Sequence, residues 1–506
     1  MADTSTLCLM KNFIFIFLAM ATFSLQAQDY RYTESLFTNI TVNTDVVYTQ
    51  APRLNGLFND ESNTSIVDYK MDIYQPSDDN LSLRPAIIFI HGGAFISGNR
   101  NHDDMEAFCD SLARKGYVTA TIDYRLGMYI SSEASTTRAV YRGLQDGRSA
   151  VRFLRANASS YGIDPSRIYM AGSSAGAFIC LQSVYMNDAT EKPTQANTYS
   201  YNNPILPFHQ ITAPDLGSYD IGTNLDQNGN PDAIFSLWGA LKHTDLILAK
   251  DDTPVYLIHG TSDDIVPFNI GSPFGYPAFS ATYGSNPISA RLSGLGSDNF
   301  QTWFVEGEGH EFYGVSNGNW APVPNQYWGT TIEKASDFFY QQHKPQAGFT
   351  YTPEGLNIAF HDASSDAQSW LWDFGDGHSS QDPNPSHTYP SSGNFTVTLY
   401  IENEIKSWDS FSQDISISNT GILHPEADQI SIFPNPAGEN IFINNLPDGA
   451  RIIIYGSDGR IYKDIRTEAG QMHFNMEYYP AGWYLVRIIS TDISKNQTHR
   501  VLKYKQ

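Results

Sequence analysis

The clearest indication of the fold is Ile168-Tyr-Met-Ala-Gly-Ser-Ser-Ala-Gly-Ala-Phe-Ile-Cys-Leu-Gln-Ser-Val184. Its first four residues form an apolar strand pattern, and Phe178–Val184 is compatible with a helix. Between them, Gly172–Gly176 reads G-x-S-x-G, in which the glycines allow a sharp turn that lifts Ser174 above a sheet. This strand–turn–helix order predicts that Ser174 is a nucleophile rather than a serine of an ordinary turn.

Short apolar runs alternate with amphipathic helical stretches on both sides of this turn, from about residue 84 to residue 343. Such alternation predicts an α/β fold with a mostly parallel sheet covered by helices on both faces. The predicted strands are Ala86–Ile90, Tyr117–Ile122, Arg167–Ala171, Pro254–Ile258 and Phe300–Val305, and a last helix is predicted over Trp328–His343.

The first predicted strand runs into His91-Gly-Gly-Ala-Phe95, which we interpret as an oxyanion loop. Backbone N–H groups stabilise the negative charge that develops on an ester oxygen during attack by a serine. The candidate donors are Gly93 and Ala94 in this loop, with Ala175 after the nucleophile. His91 itself is interpreted as a histidine that supports the loop.

Two later strand ends carry the remaining residue types that serine catalysis requires, in the order serine, acid, histidine. Asp263 and Asp264 follow the strand Pro254–Ile258, and Asp263 is preferred as the orienting acid, with Asp264 as its alternative. His310 follows the strand Phe300–Val305 and is the candidate base. This chemistry needs neither a metal nor a cofactor, and none is expected.

Four motifs together resemble the HGG-type carboxylesterases, which include hormone-sensitive-lipase-like, feruloyl and acetyl-xylan esterases. They are His91–Phe95, Asp123-Tyr-Arg-Leu126, Tyr161-Gly-Ile-Asp-Pro-Ser-Arg-Ile168 and Gly172–Gly176. The resemblance covers about Met71 to Gln342 and implies an α/β-hydrolase fold that cleaves carboxylic esters. Ala94 departs from the usual third glycine of the loop, and Ser173 departs from the acidic residue that commonly precedes the nucleophile.

Substrate selection is expected from an insertion rich in Asn, Tyr, Pro and Asp, at about Asn187 to Asp232. Asp226–Leu237 lacks the glycine and glutamate of a calcium-binding loop, so no metal site is predicted there. The candidate pocket residues are Phe95, Trp238 and Phe312, because they flank the motifs. The residues do not distinguish feruloyl from acetyl esters.

After Pro345 the sequence pattern changes to short stretches of alternating apolar and polar residues separated by turn residues, which predicts strands and turns. Trp370-Leu-Trp-Asp-Phe-Gly-Asp-Gly377, Pro385-Ser-His-Thr-Tyr389 and Gly393–Leu399 resemble the PKD domain, an Ig-like β-sandwich. Trp372 and Phe374 are expected to point into its core, and Asp376-Gly377 to form a turn. The resemblance implies either a spacer or a polymer-binding unit, and the sequence leaves both open.

The C-terminal stretch resembles the sorting domain of the type IX (Por) secretion system. The resemblance rests on Ile432-Phe-Pro-Asn-Pro436, Leu446-Pro447, Asp458-Gly-Arg460, Pro480-Ala-Gly-Trp-Tyr-Leu-Val486 and Arg500–Lys505. It implies export across the outer membrane by the type IX machinery, followed by release or surface attachment. A third adhesion-type sandwich is the alternative.

The N-terminus is interpreted as a signal peptide spanning residues 1–27, with Met10 as its natural start. The formal net charge of −23 disfavours binding to nucleic acid or to anionic membrane surfaces. No apolar run after the signal is long enough to span a membrane. Whether Cys109 and Cys180 form a disulfide is left open.

These observations predict an esterase domain over 28–345, a PKD domain over 346–420 and a sorting domain over 428–506. The predicted protein is a secreted or surface-bound serine carboxylesterase that acts on an ester of polysaccharide or another polymer. A serine peptidase of the same fold and a non-catalytic adhesin are the alternatives.

Overall fold

The computed structural model describes residues 30–55, 60–129, 131–203, 208–276, 279–418, 430–433, 435, 437, 440–456, 460–467, 470–490 and 497–503. The predicted signal peptide and Met10 lie outside these residues, as do Pro434, Pro436, Asp458, Gly459 and Lys505. The chain divides into two compact units, the first formed by Met1–Gly348, Ala363–Trp372 and Leu399–Phe411, and the second by Phe349–Asp362, Asp373–Thr398 and Ser412–Gln506. Across the described ranges, no helix is both long and apolar enough to cross a membrane.

The first unit is built on an eight-stranded sheet. The strands up to residue 320 are β1 (Ile40–Asn55), β2 (Asp60–Pro76), β3 (Arg84–Ile90), β4 (Val118–Ile122), β5 (Ile163–Ser173), β6 (Tyr199–Asn202), β7 (Gln210–Ala213), β8 (Ile234–Leu237), β9 (Val255–Gly260), β10 (Ile270–Gly271), β11 (Thr282–Tyr283), β12 (Phe300–Val305), β13 (Val315–Ser316) and β14 (Asn319–Trp320). The helices are α1 (Asp103–Ala113), α2 (Glu133–Ala156), α3 (Ala158–Tyr161), α4 (Ala175–Tyr185), α5 (Ser285–Gly294) and α6 (Gln326–Gln341).

The order of the large sheet is β1-β2-β4-β3-β5-β8-β9-β12. The pairs from β4 to β12 are parallel, whereas β1 and β2 add an antiparallel edge. This is the α/β-hydrolase arrangement, which confirms the predicted fold class. In a parallel sheet, the loops that carry functional residues meet at the carboxyl ends of the strands.

The central strands of the sheet are buried on both faces, and most of their side chains are apolar. All seven residues of β3 are buried, with Ile88 and Ile90 facing one core and Ile87 and Phe89 facing the other. Helices α2, α4 and α5 supply apolar residues to the first core, and α1 and α6 supply them to the second. Burial of each such side chain contributes roughly 1.5–3 kcal/mol.

The two cysteines follow the same division. Cys180 lies on α4 in the first core and Cys109 lies on α1 in the second, so the sheet separates them. Both are buried free thiols. Cys109 and Cys180, whose pairing the sequence left open, therefore do not form a disulfide.

Two sheets form between residues 349 and 417. The strands are β15 (Phe349–Glu354), β16 (Asn357–Asp362), β17 (Ser369–Asp373), β18 (Ser379–Ser380), β19 (Ser386–Thr388), β20 (Gly393–Glu402) and β21 (Trp408–Ile417). Their orders are β15-β16-β19 and β18-β17-β20-β21. Trp372 and Phe374 are buried, as their alternation in the sequence predicted.

The segment from Asn403 to Asp409 belongs to the first unit and hydrogen-bonds to the end of α6 and its neighbours. His343 accepts or donates at Ser407 over 2.7 Å through Nδ1, and its carbonyl oxygen accepts from Asn403 over 2.8 Å. The hydroxyl of Tyr32 donates to the carbonyl oxygen of Ile405. The segment Asn403–Asp409, which the sequence assigned to the predicted PKD domain, therefore packs within the first unit.

The last strands form a separate pair of sheets. They are β22 (Ser431–Phe433), β23 (Asn440–Leu446), β24 (Arg451–Gly456), β25 (Ile461–Arg466), β26 (Gly470–Asn475), β27 (Gly482–Ile489) and β28 (Gln497–Lys503). The sheet orders are β22-β23-β26 and β25-β24-β27-β28. Alternate residues such as Ile441, Ile443, Val486 and Ile488 share one buried core, so this stretch is a small all-β domain.

Candidate active site

The turn between β5 and α4 holds Ser174 in a backbone conformation that side chains rarely adopt, with φ 53° and ψ −114°. The flanking glycines make this possible. A Cβ on Gly176 would lie 2.0 Å from the carbonyl oxygen of Ile90, and a Cβ on Gly172 would lie 2.3 Å from the carbonyl carbon of Gly176. The G-x-S-x-G pattern therefore reflects close packing of the turn against β3, with Ser174 at its apex.

The loop after β3 approaches this serine closely. A Cβ on Gly92 would lie 3.3 Å from the Cβ of Ser174. Gly93, Ala94 and Phe95 all have positive φ angles, of 105°, 54° and 58°. Ala175 begins α4, so its N–H has no partner within the helix and is free to face a ligand. The loop that carries the candidate donors Gly93 and Ala94 therefore lies against Ser174, and the candidate donor Ala175 directly follows Ser174.

His91 supports this loop from below. Its ring stacks on Tyr124 at 4.3 Å, its Nδ1 lies 2.7 Å from the carbonyl oxygen of Gly92, and Tyr124 donates to the same oxygen. Burial lowers the pKa of His91 to about 3, so the ring is neutral. The geometry agrees with a supporting role rather than with proton transfer.

Asp263 and His310 meet because they follow neighbouring parallel strands, β9 and β12. Oδ2 of Asp263 lies 2.7 Å from Nδ1 of His310, and Oδ1 accepts the backbone N–H groups of Ile265 and Val266. Burial alone would raise the pKa of Asp263, but hydrogen bonds from His259 and His310 lower it far below its ordinary value. Asp263 is thus an ionised, fully buried partner for His310.

The neighbouring carboxylate has a different environment. Asp264 is exposed to solvent, whereas the side chain of Asp263 is not. Gly260 allows the two loops to approach, since a Cβ there would lie 2.3 Å from the carbonyl oxygen of Glu308. Of the two carboxylates that the sequence offered, the structure brings Asp263 to His310.

Trp238 connects the serine turn with the histidine loop. Its Nε1 donates to Oγ of Ser173 over 2.9 Å, and its ring centroid lies 5.8 Å from that of His310. Phe312 packs on the same indole at 5.1 Å. Both aromatic side chains are buried in the second core. This corrects the expectation that Trp238 and Phe312 contact substrate: they fill the core under the site, because each points inward from its loop.

Two buried carboxylates, Asp104 and Glu311, were not singled out from the sequence. Asp104 on α1 accepts a hydrogen bond from Tyr313 over 2.8 Å. Glu311 accepts the N–H of Asn317, and its Oε1 lies 3.7 Å from the position of a Cβ on Gly92. Glu311 directly follows His310, which is the one signal in the sequence that could have drawn attention to it. Burial raises the pKa of both groups.

Asp104 makes stability depend on pH. Burial, with a smaller effect of Glu311, raises its pKa in the folded protein to about 8, against about 3.8 in the unfolded chain. Between these values the folded state holds a proton that the unfolded state has released, so stability falls by about 1.4 kcal/mol per pH unit. The contribution is complete below pH 3.8 and is lost as pH rises through 8. The substitution Asp104→Asn removes this pH dependence, because an amide does not titrate.

The measurement compares urea unfolding of wild type and Asp104→Asn at pH 5 and pH 8. We expect the wild type to lose stability relative to the variant as pH rises, because every other titrating group is common to both proteins. An equal difference at the two pH values contradicts this assignment.

A cavity of about 530 Å³ opens beside Ser174. Ala94, Phe95, Ser174 and Ala175 border it, so the candidate nucleophile and two candidate oxyanion donors face the same space. Its other walls are mainly apolar side chains of α2, α4 and several connecting loops, among them Met128, Val140, Phe178, Leu246, Val266 and Phe279. Of the three predicted pocket residues, Phe95 lines this cavity.

The insertion between the nucleophile and the acid contributes to the same cavity. Glu191, Pro193 and Gln195 line it. An ion pair between Asp220 and Arg148 over 2.8 Å ties this insertion to α2. The segment Asp226–Leu237, in which no calcium site was predicted, is also tied to α2, because Asp232 forms an ion pair with Arg155 over 2.8 Å.

Three family models match the chain, each over one segment. Residues 71–210 match BD-FAE, an α/β-hydrolase esterase domain. Residues 346–410 match the PKD domain, and residues 431–503 match the secretion system C-terminal sorting domain. Each of the three resemblances that the sequence motifs indicated thus has a matching family model. The sorting domain indicates export through the type IX system to the cell surface or the medium.

The curated relatives share only part of their length with this chain. A juvenile hormone esterase of Heliothis virescens is 38% identical over 96 residues, which cover 19% of this chain and 17% of that protein. A probable isoprenylcysteine alpha-carbonyl methylesterase, ICMEL1, of Oryza sativa subsp. japonica is 26% identical over 212 residues, covering 39% and 47%. The chain spans less than half the length of each.

Among solved structures, esterase 2 of Thermogutta terrifontis in its tabun-phosphoramylated form matches at 19% identity and a TM-score of 0.39. The match covers 60% of this chain and 95% of that structure.

Proposed function

We propose that the chain is a secreted serine carboxylesterase that cleaves esters through an acyl-enzyme on Ser174. The observation that carries the proposal is the 2.7 Å hydrogen bond between Asp263 and His310 at the same sheet edge as a strained Ser174 turn. A cavity bordered by Ser174 and Ala94 gives the acyl group a place to bind. The BD-FAE match over 71–210 supports the same reaction class.

Each residue then has one task. His310 binds Asp263 through Nδ1, so Nε2 accepts the proton of Ser174 as its Oγ attacks the ester carbonyl carbon. The N–H groups of Gly93, Ala94 and Ala175 stabilise the oxyanion. His310 returns the proton to the alcohol oxygen as the C–O bond breaks. Water then attacks the acyl-enzyme with His310 again as base, releasing the acid and restoring Ser174.

The cavity favours an acyl group larger than acetyl. Pockets of roughly 300–1,000 Å³ accommodate ligands of drug size, and acetyl would leave most of this one empty. Phe95, Phe178 and Phe279 supply aromatic surface, and Gln182 and Thr137 supply hydrogen-bonding groups. We therefore infer that a feruloyl-type aromatic acyl group, linked to a plant polysaccharide, is a better substrate than an acetyl ester.

A single pocket substitution tests this assignment. Val140→Trp fills space in the cavity and leaves Ser174, Asp263 and His310 themselves unchanged. We expect kcat/KM for methyl ferulate to fall by about tenfold or more, whereas p-nitrophenyl acetate hydrolysis by the same variant stays within about threefold. The acetate rate is the internal control for folding and for the catalytic residues.

The outcomes separate the alternatives. Equal loss on both substrates contradicts the acyl-pocket assignment but leaves the esterase in place. Hydrolysis of acetate but not ferulate by wild type favours an acetyl esterase. Faster cleavage of a peptide p-nitroanilide than of any ester favours a peptidase, and no turnover by folded wild type favours an adhesin.

A further inference from the structure

Three side chains of the PKD domain converge outside the catalytic unit. Asp376 and His378 lie on the turn after β17, and His387 lies on β19. Their ligand-capable atoms all lie within 4.8 Å of one another. Oδ2 of Asp376 is 2.8 Å from Nε2 of His387, and Oδ1 is 3.2 Å from Nδ1 of His378.

Two of the three are held rigidly. The side chain of Asp376 is only 4% exposed, and its Oδ1 also accepts the backbone N–H of His378. The ring of His387 lies flat on Phe374, with centroids 4.2 Å apart and planes 3° apart, while the edge of Tyr389 packs on it at 4.5 Å. Neither group can turn away without loss of these contacts. They form a preorganised pair facing the turn.

The third group is mobile by comparison. The His378 side chain is 69% exposed, so its ring can adjust at little cost. Gly377, with φ 91°, places it next to Asp376 on the same turn. An exposed imidazole beside a fixed imidazole and a fixed carboxylate leaves coordination positions open to solvent.

We propose that Asp376, His378 and His387 bind a divalent transition-metal ion, with Zn²⁺ as the preferred occupant. Two imidazole nitrogens and one carboxylate oxygen, with an open position for water, are a ligand set that suits zinc. Calcium and magnesium prefer oxygen ligands alone. Each neutral imidazole binds the ion through the nitrogen that now faces Asp376 and carries its proton on the other ring nitrogen.

The spacing requires little movement. Zinc bonds of 2.0–2.1 Å in a tetrahedron place ligand atoms about 3.3 Å apart. The present separations from Asp376 are 2.8 Å to His387 and 3.2 Å to His378. The bound ion joins the turn after β17 to β19 and so stabilises this domain. This site was not predicted from the sequence, because Asp376-Gly377 is equally a turn signal and His387 lies nine residues beyond His378.

The test uses the full chain, freed of metal by a chelator and then titrated with Zn²⁺ by calorimetry and with Co²⁺ by absorption spectroscopy. His378→Ala removes an exposed ligand and leaves the Asp376–His387 hydrogen bond intact, so folding is retained. His361→Ala is the matched control, because His361 is an exposed histidine on β16 of the same domain. Ester hydrolysis of both variants checks that the catalytic unit is unaffected.

We expect wild type and His361→Ala to bind one Zn²⁺ that raises the melting temperature and to give a Co²⁺ ligand-field band. His378→Ala should lose at least about tenfold in affinity for that ion, together with the band. Mg²⁺ and Ca²⁺ at the same concentration should not compete. Equal binding by wild type and His378→Ala, absence of binding by wild type, or displacement of Zn²⁺ by Ca²⁺ overturns the proposal.

Discussion

Ser174→Ala is expected to lower kcat for ester hydrolysis by about six orders of magnitude, to the level left by binding and the oxyanion donors. The reason is that Ser174 supplies the only atom that forms a covalent bond with substrate in the proposed reaction. Its side chain makes no contribution to the fold that alanine cannot replace, since the turn is held by Gly172, Gly176 and the backbone. The measurement is the rate on p-nitrophenyl butyrate with folding monitored by circular dichroism.

Ser173→Ala is the matched control for this variant. Ser173 sits on the same turn, but its Oγ accepts from Trp238 rather than facing the cavity. Its loss leaves the indole N–H unpaired and costs about 1–3 kcal/mol of stability, with most of the activity kept. Retention of activity by Ser174→Ala, or equal losses in both variants, contradicts the assignment of the nucleophile.

Asp263→Asn is expected to lower kcat by about 10⁴-fold, with the fold preserved. The amide oxygen can still accept the backbone N–H groups of Ile265 and Val266, as Oδ1 does now. The amide nitrogen, however, presents N–H groups to Nδ1 of His310. The imidazole must then carry its proton on Nε2, where it cannot accept the proton of Ser174.

Asp264→Asn controls for charge and position. Asp264 is the adjacent carboxylate in the same loop and is exposed to solvent. Its substitution removes one negative charge but no contact with His310, so kcat should stay within about twofold of wild type. A larger loss of kcat in Asp264→Asn than in Asp263→Asn would identify Asp264, and not Asp263, as the orienting acid. Steady-state kinetics of the two variants on one ester decides between them.

The sequence was most informative where function requires a local backbone pattern. The turn at Ser174 needs glycines at fixed positions, so its strand–turn–helix setting was readable from one stretch. Strand β12 was predicted with its observed bounds, Phe300–Val305. By contrast, β8 has only four residues, Ile234–Leu237, which is too short a run to stand out from the insertion before it.

The sequence did not predict whether a side chain points into the core or into the cavity. Phe95, Trp238 and Phe312 all flank functional motifs, yet only the first of the three borders the cavity. The local sequence pattern is the same whether an aromatic residue beside a loop motif points to the core or to the ligand. Glu311 shows the converse, because a charged residue next to His310 reads as exposed but is buried against the oxyanion loop.

Contacts between residues that are far apart in the chain could not be predicted from local patterns. The meeting of Asp263 with His310 depends on β9 and β12 being neighbours, which is a property of the sheet order and not of either loop. Asp376 and His387 likewise come from two different sheets, since Asp376 follows β17 and His387 lies on β19. The predicted domain limits at 345 and 420–428 stay predictions, and Asn403–Asp409 is already part of the first unit.

Covalent labelling identifies the nucleophilic residue directly. The full chain is treated with the organophosphate paraoxon, and the site of modification is mapped by mass spectrometry of intact protein and of its peptides. The proposed mechanism predicts one diethylphosphoryl group per chain, on Ser174, with parallel loss of esterase activity and with no label on Ser174→Ala. Unlabelled folded wild type, or a label on another residue that abolishes activity, would contradict it.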